Sequence, residues 1–290
     1  MTAAVGRVAL ERALLAAEGA DARAVLQSVV TNDLEQVAPG RAVYAALLTP
    51  QGKYLFDFFL VEAEDGRLLI DTEATRAEAL ARRLKMYCLR RDARIVPAEG
   101  LGVALIWGEG VPVLPGAVPD PREAGLGWRL YTPDPEGALA AVGLAEGTAQ
   151  DYTAQRIALG VPEGGLDLIP EETFILEAGF ERLHGVDFRK GCYVGQEVTA
   201  RMKHKTTLRK GLVRVALDGE AAPGTPILTE AGKPAGTLYS TAGGAALAHL
   251  RFDRAVGALS AGAAQVFYTP PEEPEAEAVS SAKSAASPAR

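Results

Sequence analysis

Two apolar runs, Val43–Leu48 and residues 54–61, flank Thr49-Pro50-Gln51-Gly52-Lys53, and this arrangement constrains the fold more than any other stretch. Pro and Gly so close together interrupt a helix or an interior strand, while the flanking aromatic and aliphatic residues suit a pleated sheet. The segment predicts a β-hairpin with a longer loop. A strand at 68–71 follows. Residues 75–89 then place Ala79, Leu80, Leu84, Tyr87 and Cys88 at helical spacing with Arg and Lys between them, the pattern of an amphipathic helix. Upstream, Asp21 stands where a helix cap belongs, ahead of Val25, Leu26, Val29 and Val30.

Further strands are expected at 93–96, 103–107 and 128–131, with a Pro-rich connection at 112–121 and helices at 135–142 and 151–159. Helices returning between paired strands predict an α+β fold with ferredoxin-like units. From Leu208 onward the elements shorten to strands at 212–217, 226–228, 236–239, 245–250 and 264–268, punctuated by Gly and Pro. That rhythm predicts a small β-barrel. After Pro270 the chain holds mostly Glu, Ala, Ser and Pro, too little apolar material for a core, and is expected to be disordered.

Composition narrows the function. With 48% hydrophobic residues over 290 positions the chain can build more than one core. The longest apolar runs fall short of a membrane span, and the first seven residues lack a secretory pattern, so a cytoplasmic protein without membrane contact is expected. Cys88 and Cys192 form no Cys-x-x-Cys pair, and His184, His204 and His249 are scattered. No disulfide framework and no ordinary zinc or cluster site is therefore predicted, and any role with metal clusters must be indirect or use ligands from elsewhere. A net charge of −7 argues against a nucleic-acid partner. Yet residues 182–210 hold eight Lys or Arg against Asp187 and Glu197, a basic island of +6. Such a run is either a solvated face or a site for an acidic ligand.

Chemistry concentrates in Lys190-Gly191-Cys192-Tyr193-Val194-Gly195-Gln196-Glu197. Its two glycines let a backbone turn and approach a ligand with no side chain in the way. If 194–203 continues as a helix, Cys192 stands at its entrance, where unpaired N–H groups and Lys190 favour thiolate over thiol. The alternative is a cysteine buried in a tight turn. In the reactive reading Cys192 is the nucleophile or redox thiol, Lys190 its activator, and Glu197 orients a donor or accepts a proton, while Tyr193 and Gln196 position a ligand or neighbouring loops.

These eight residues resemble the signature of the folate-binding YgfZ family, relatives of the glycine-cleavage T-protein (aminomethyltransferase). The resemblance extends to Thr199-Ala200-Arg201, to Arg156 with Gly160-Val161-Pro162 and Ile169-Pro170-Glu171, and to Leu26-Gln27, Thr31-Asn32-Asp33 and the hairpin loop. It implies a T-protein-like ring of interleaved ferredoxin-like units over 1–205, a barrel over 206–270 and a separate tail over 271–290. It also implies tetrahydrofolate or a derivative at the mouth of a central hole. The role it implies is accessory, in the maturation or repair of iron–sulfur enzymes, including tRNA-modifying ones, with client enzymes or assembly proteins as partners. T-protein relatives carry paired aspartates in the hairpin that contact the folate ring; here Phe56 takes the first place and Asp57 the second. By strand alternation Asp57 shares a face with Leu55 and Phe59, either toward solvent or buried with a partner. Arg156 matches an arginine near folate's glutamate portion, a role its planar fork suits, and is otherwise a helix-surface residue. Two other functions compete: an aminomethyltransferase moving a one-carbon group onto folate, and an RNA-binding module resting on the basic island.

Overall fold

The computed structural model describes residues 3–63, 65–112 and 114–270, so the tail over 271–290 lies outside the described residues. Two five-stranded sheets and a closed barrel make up the architecture. The first sheet has the order Val43–Leu48, Tyr54–Glu62, Leu68–Glu73, Arg12–Glu18 and Arg94–Pro97, with antiparallel neighbours throughout. The second has the order Ala145–Glu146, Val5–Val8, Gly102–Trp107, Trp128–Thr132 and Ala117–Pro119. The chain therefore lays its first strand in one sheet, builds the other from residues 12 to 97, and then returns. That return interleaves the two units, as the α+β expectation required.

Val5–Val8 and Arg12–Glu18 were not anticipated as strands. Arg12-Ala13-Leu14-Leu15-Ala16-Ala17-Glu18 consists of good helix formers. It becomes a strand because it fills the slot between Leu68–Glu73 and Arg94–Pro97, where Leu14, Leu15, Ala16 and Ala17 are all buried. The predicted hairpin forms, with one departure from strict alternation. Leu47 pairs with Phe56 and Leu48 with Tyr54, which leaves Leu55 as an unpaired bulge residue. The bulge puts Leu55 on the same side as Phe56 and Phe58, in the outer core, and puts Asp57 with Tyr54 and Phe59 toward the second sheet.

Among the described residues there are five α-helices: α1 (Ala22–Gln27), α2 (Ala77–Lys85), α3 (Pro135–Ala141), α4 (Ala149–Ala158) and α5 (Gln196–Lys205). Val25 and Leu26 of α1 and Leu80 and Leu84 of α2 cover the outer face of the first sheet, against Val43, Phe58, Leu60 and Ile70. Asp21 makes no side-chain cap on α1; its carboxylate instead accepts from the Asp92 N–H at 3.0 Å. Helix α2 ends at Lys85, short of residue 89, and the chain leaves it through turns that reach Arg90 at φ 65°. By contrast α4 starts on a full capping box between Thr148 and Asp151. The barrel is closed in the order Lys210–Asp218, Ala245–Arg251, Pro234–Ala242, Pro226–Thr229, Leu259–Ala261 and Ala264–Phe267. Its three-residue strand Leu259–Ala261 is too short to show a period in sequence. Among the described residues no helix is long and apolar enough to cross a membrane.

Between the sheets, Leu14, Phe59 and Leu69 meet Val103, Leu105 and Trp107. Within this apolar layer lies an ion network that nothing in the sequence pattern announces. Asp71, fully buried, accepts from Arg12 Nε at 2.7 Å, Arg129 Nη2 at 2.6 Å and Tyr131 Oη at 3.0 Å. Arg129 continues to Asp120 at 3.3 Å, and Asp120 grips Arg122 at 2.9 Å. Burial pushes both carboxyls up, and the facing guanidiniums overcome it, leaving Asp71 and Asp120 below the ordinary aspartate value.

Asp71→Asn should cost about 3–5 kcal/mol at neutral pH, because it strands two buried guanidiniums against one neutral amide. A carboxyl lowered on folding stabilises the fold above its unfolded pKa of about 3.9 and loses that contribution as pH falls below it. Urea melts from pH 7 down to about 3 should therefore show wild type losing stability steeply and the variant, already weakened, losing less.

Candidate signature site

The signature closes a long connection, residues 159–195, that is tied to the first sheet through Thr31 and Asn32. Thr31 Oγ1 donates to the Gly185 carbonyl at 2.7 Å, and Asn32 Nδ2 bridges the carbonyls of His184 at 2.6 Å and Tyr44 at 2.7 Å. These are the buried pair of the Thr31-Asn32-Asp33 motif, so that motif serves as a clamp. Asp187 then opens the signature by accepting from the backbone N–H groups of Arg189 at 2.6 Å and Lys190 at 3.2 Å.

Lys190 is turned inward. Its ammonium donates to the carbonyls of Gln27 at 2.7 Å and Val30 at 2.6 Å, just where α1 ends and its last carbonyls lack helical partners. Burial pulls its pKa down to about 8, against the opposing pull of Asp33 and Asp187. Lys190 is therefore an anchor for the loop, and its hydrogen bonds are spent on α1 rather than on Cys192. The second support for a reactive thiol also shifts. Helix α5 begins at Gln196 with Gly195 as its cap, three residues beyond Cys192, and the field of a helix end fades within its first turn. Cys192 sits instead in an exposed loop, which also excludes the buried-turn alternative.

What makes the loop rigid is glycine against glycine. Gly195 has φ 84° and Gly52, in the hairpin loop, has φ 75°. A Cβ on Gly195 would stand 2.6 Å from the Thr49 carbonyl oxygen and 3.1 Å from Gly52 Cα, and one on Gly52 would stand 2.9 Å from Val198 Cβ. The two motifs that the sequence singled out are thus pressed together. Gly191, in contrast, has open space where its Cβ would be. Tyr193 enters the inner core, and burial pushes its hydroxyl up to about 12. Its Oη has no hydrogen-bond partner among the described residues, since Thr199 Oγ1 bonds the Gly195 carbonyl at 3.2 Å. Gln196 makes only a long 3.5 Å contact with the Gly191 carbonyl. Glu197 is 85% exposed and pairs with Arg201 at 3.0 Å along α5. Lys190 and Glu197 thus point away to separate partners, and the catalytic trio expected from their spacing does not assemble.

The two expected folate ligands are committed as well. Both oxygens of Asp57 are taken, Oδ1 by Tyr54 Oη at 2.7 Å and Oδ2 by Tyr44 Oη at 2.9 Å. Gly164 packs so close that a Cβ there would stand 2.2 Å from Oδ1. Arg156, 1% exposed, donates to Asp167 at 2.6 Å, to the Val161 carbonyl at 3.1 Å and across to Ser240 of the barrel at 2.6 Å. It is neither a helix-surface arginine nor a free fork for a glutamate; it clamps α4, the 161–168 loop and the barrel together. The open Asp57–Arg156 clamp expected for folate is therefore not formed: both side chains are engaged by the protein's own groups.

Comparisons with known proteins give this geometry its setting. Residues 13–104 match the GCVT N-terminal domain, and residues 209–275 match the CAF17 C-terminal beta-barrel domain. The mouse protein named iron-sulfur cluster assembly factor IBA57, mitochondrial, is 34% identical over 282 residues, covering 86% of this chain and 78% of the mouse protein. Its human counterpart is 34% identical over 281 residues, with the same coverage of both chains. The chain belongs to the IBA57 family. The crystal structure of glycine cleavage system aminomethyltransferase T from Bartonella henselae matches with a TM-score of 0.73 at 17% identity, over 91% of this chain and 84% of that one. That likeness establishes the T-protein-like fold. The broader resemblance to T-protein relatives is borne out, while the relatives just named are IBA57 rather than YgfZ proteins. They are also named as mitochondrial, which overturns the cytoplasmic expectation. The lack of a secretory pattern carries no information about organelles.

Two substitutions separate brace from bystander. Gly195→Ala should lower stability by more than about 1–2 kcal/mol, since the left-handed backbone penalty adds to the collision with the hairpin. Tyr193→Phe should be neutral or stabilising within about 1 kcal/mol, because it removes a hydroxyl that bonds nothing. Chemical denaturation of both variants checks the pair.

Proposed function

We propose that this chain supplies Cys192 as one thiolate ligand to an iron–sulfur cluster held jointly with a partner protein, and so serves the maturation or repair of iron–sulfur enzymes. One observation carries the reading: an exposed thiol on a loop whose flanks are fastened by Lys190 on one side and by Tyr193 and Gly195 on the other. Clusters are held by several thiolates, commonly four. Among the described residues no group of three or more His, Cys, Asp or Glu side chains could hold a metal. The second cysteine, Cys88, is half-buried behind α2, and burial pushes its thiol up. The remaining ligands must then come from another molecule, and an exposed, preset thiol is the form a shared ligand takes. The names of the mouse and human relatives support cluster assembly as the setting. In this reading Lys190 is a positioning residue, and Glu197 and Gln196 shape the surface beside the thiol. Clients are iron–sulfur enzymes as a class; tRNA-modifying members enter through the YgfZ resemblance alone.

Anaerobic reconstitution with ferrous iron, sulfide and glutathione tests this, with glutathione standing in for the missing thiols. Wild type and Cys88→Ser should both bind a cluster, seen as visible absorption and as bound iron, and Cys192→Ser should not. In a strain lacking the gene, Cys192→Ser should likewise fail to restore iron–sulfur enzyme activity. A cluster yield in Cys192→Ser equal to wild type overturns the proposal.

Tetrahydrofolate belongs to this proposal through the fold that the chain shares with an aminomethyltransferase. Such a ligand would have to move the 161–168 loop away from Asp57 and leave Arg156 in place. Calorimetric titration with tetrahydrofolate should then show saturable binding that Asp57→Ala abolishes; a flat titration of wild type removes folate from the function without touching the role of Cys192.

A further inference from the structure

We propose that the turn leaving α2 is a peripheral attachment site for an anionic lipid bilayer, with Met86 and Leu89 entering the acyl boundary and Lys85, Arg90 and Arg91 lying on the headgroups. The inference is independent of the reading of Cys192. Met86 is 60% exposed and Leu89 74%, whereas Tyr87 and Cys88 between them pack on the outer core. The local backbone sets this division. The Tyr87 N–H donates to the Leu84 carbonyl at 2.9 Å and the Cys88 N–H to the Lys85 carbonyl at 3.2 Å, so the helix tightens as it ends. In a turn of that kind side chains three apart eclipse, and Met86 and Leu89 stand on one side as a single apolar pair. The chain then passes through Arg90 at φ 65°, a left-handed backbone that glycine adopts at no steric cost. It carries a cation there instead.

Lys85, Arg90 and Arg91 are exposed and, among the described residues, form no ion pair. The acids on the adjoining stretches of chain are engaged elsewhere: Glu78 with Arg82 at 2.7 Å, Glu18 with Arg94 at 3.6 Å, and Asp92 with the Ala20 N–H at 3.1 Å. Three unpaired cations and two exposed apolar side chains thus share one turn, in a chain whose net charge is −7. An anionic bilayer matches both features at once. Its mobile headgroups gather around cations wherever these lie, and shallow insertion takes the apolar pair out of water. A protein partner fits less well, because a stable protein interface takes roughly 800 Å² from each side, and this patch is bounded by Arg82 and Arg94, whose charges are already paired. Attachment of this kind needs no spanning helix.

Cosedimentation of the full-length chain with lipid vesicles tests the site. Vesicles of phosphatidylcholine and phosphatidylserine in equal parts should bind wild type at least about tenfold more tightly than phosphatidylcholine alone. Met86→Ser with Leu89→Ser should weaken binding to the mixed vesicles by about tenfold or more through the lost apolar contact, and Arg90→Gly with Arg91→Gln by a similar factor through the lost charge. Both variants should melt like wild type, since all four side chains are exposed and glycine suits the backbone of Arg90, so a loss of binding reports the patch and not the fold. Absence of wild-type binding to the mixed vesicles, or an affinity unchanged in either variant, overturns the site. Labelled polyglutamate, followed by fluorescence anisotropy, stands in for an acidic protein. Wild type that binds polyglutamate through Arg90 and Arg91 and leaves the vesicles alone overturns the lipid assignment in favour of a protein partner.

Discussion

Asp71 between Arg12 and Arg129 is the contact on which the two sheets depend. Arg12 and Asp71 lie on adjacent strands of the first sheet, and Arg129 reaches them from the second. Each charge is desolvated by burial, so each is tolerable only because its partners are in place. Arg129 also lies 4.0 Å from the centre of the Phe59 ring, and Arg122 lies 4.7 Å from it, which fixes both guanidiniums by the ring face as well as by carboxylates. An apolar seam of the same area would hold the sheets together yet let them slide. A network of directional bonds selects one register, and through Phe59 that register passes to the hairpin.

The hairpin in turn seats the signature. Gly52 in its loop and Gly195 before α5 meet at a distance that no side chain permits, so the position of Cys192 follows from the position of the first sheet. Lys190 adds a second fastening, to the end of α1. The roles are therefore inverted with respect to what residue chemistry suggests. Lys190 and Asp187 hold the backbone, and the thiol is left exposed at the surface. Arg156 shows the same inversion, as a buried strut where a ligand fork was expected.

Local elements were legible in the sequence wherever their cause was local. Turn chemistry at Thr49-Pro50-Gln51-Gly52-Lys53 placed the hairpin, helical spacing placed α2 and α4, and the rhythm of short strands after Leu208 announced the barrel. The eight-residue signature, through its resemblance, was enough to point to the wider family. What the sequence could not determine lay in contacts between distant residues. The bulge at Leu55 takes that residue off the face it would share with Asp57 by alternation, and depends on the register with Leu47 and Leu48. The strand Arg12–Glu18 overrides its own helical preference because a slot between two other strands exists for it. Where Lys190 sends its ammonium depended on carbonyls 160 and 163 residues away, Arg156 is held in part by Ser240 84 residues on, and Asp57 is closed by Tyr54 and Tyr44 through strand packing. Sequence spacing records what one turn of chain can do by itself; only packing decides which buried polar group finds which partner, because that pairing exists nowhere along the chain.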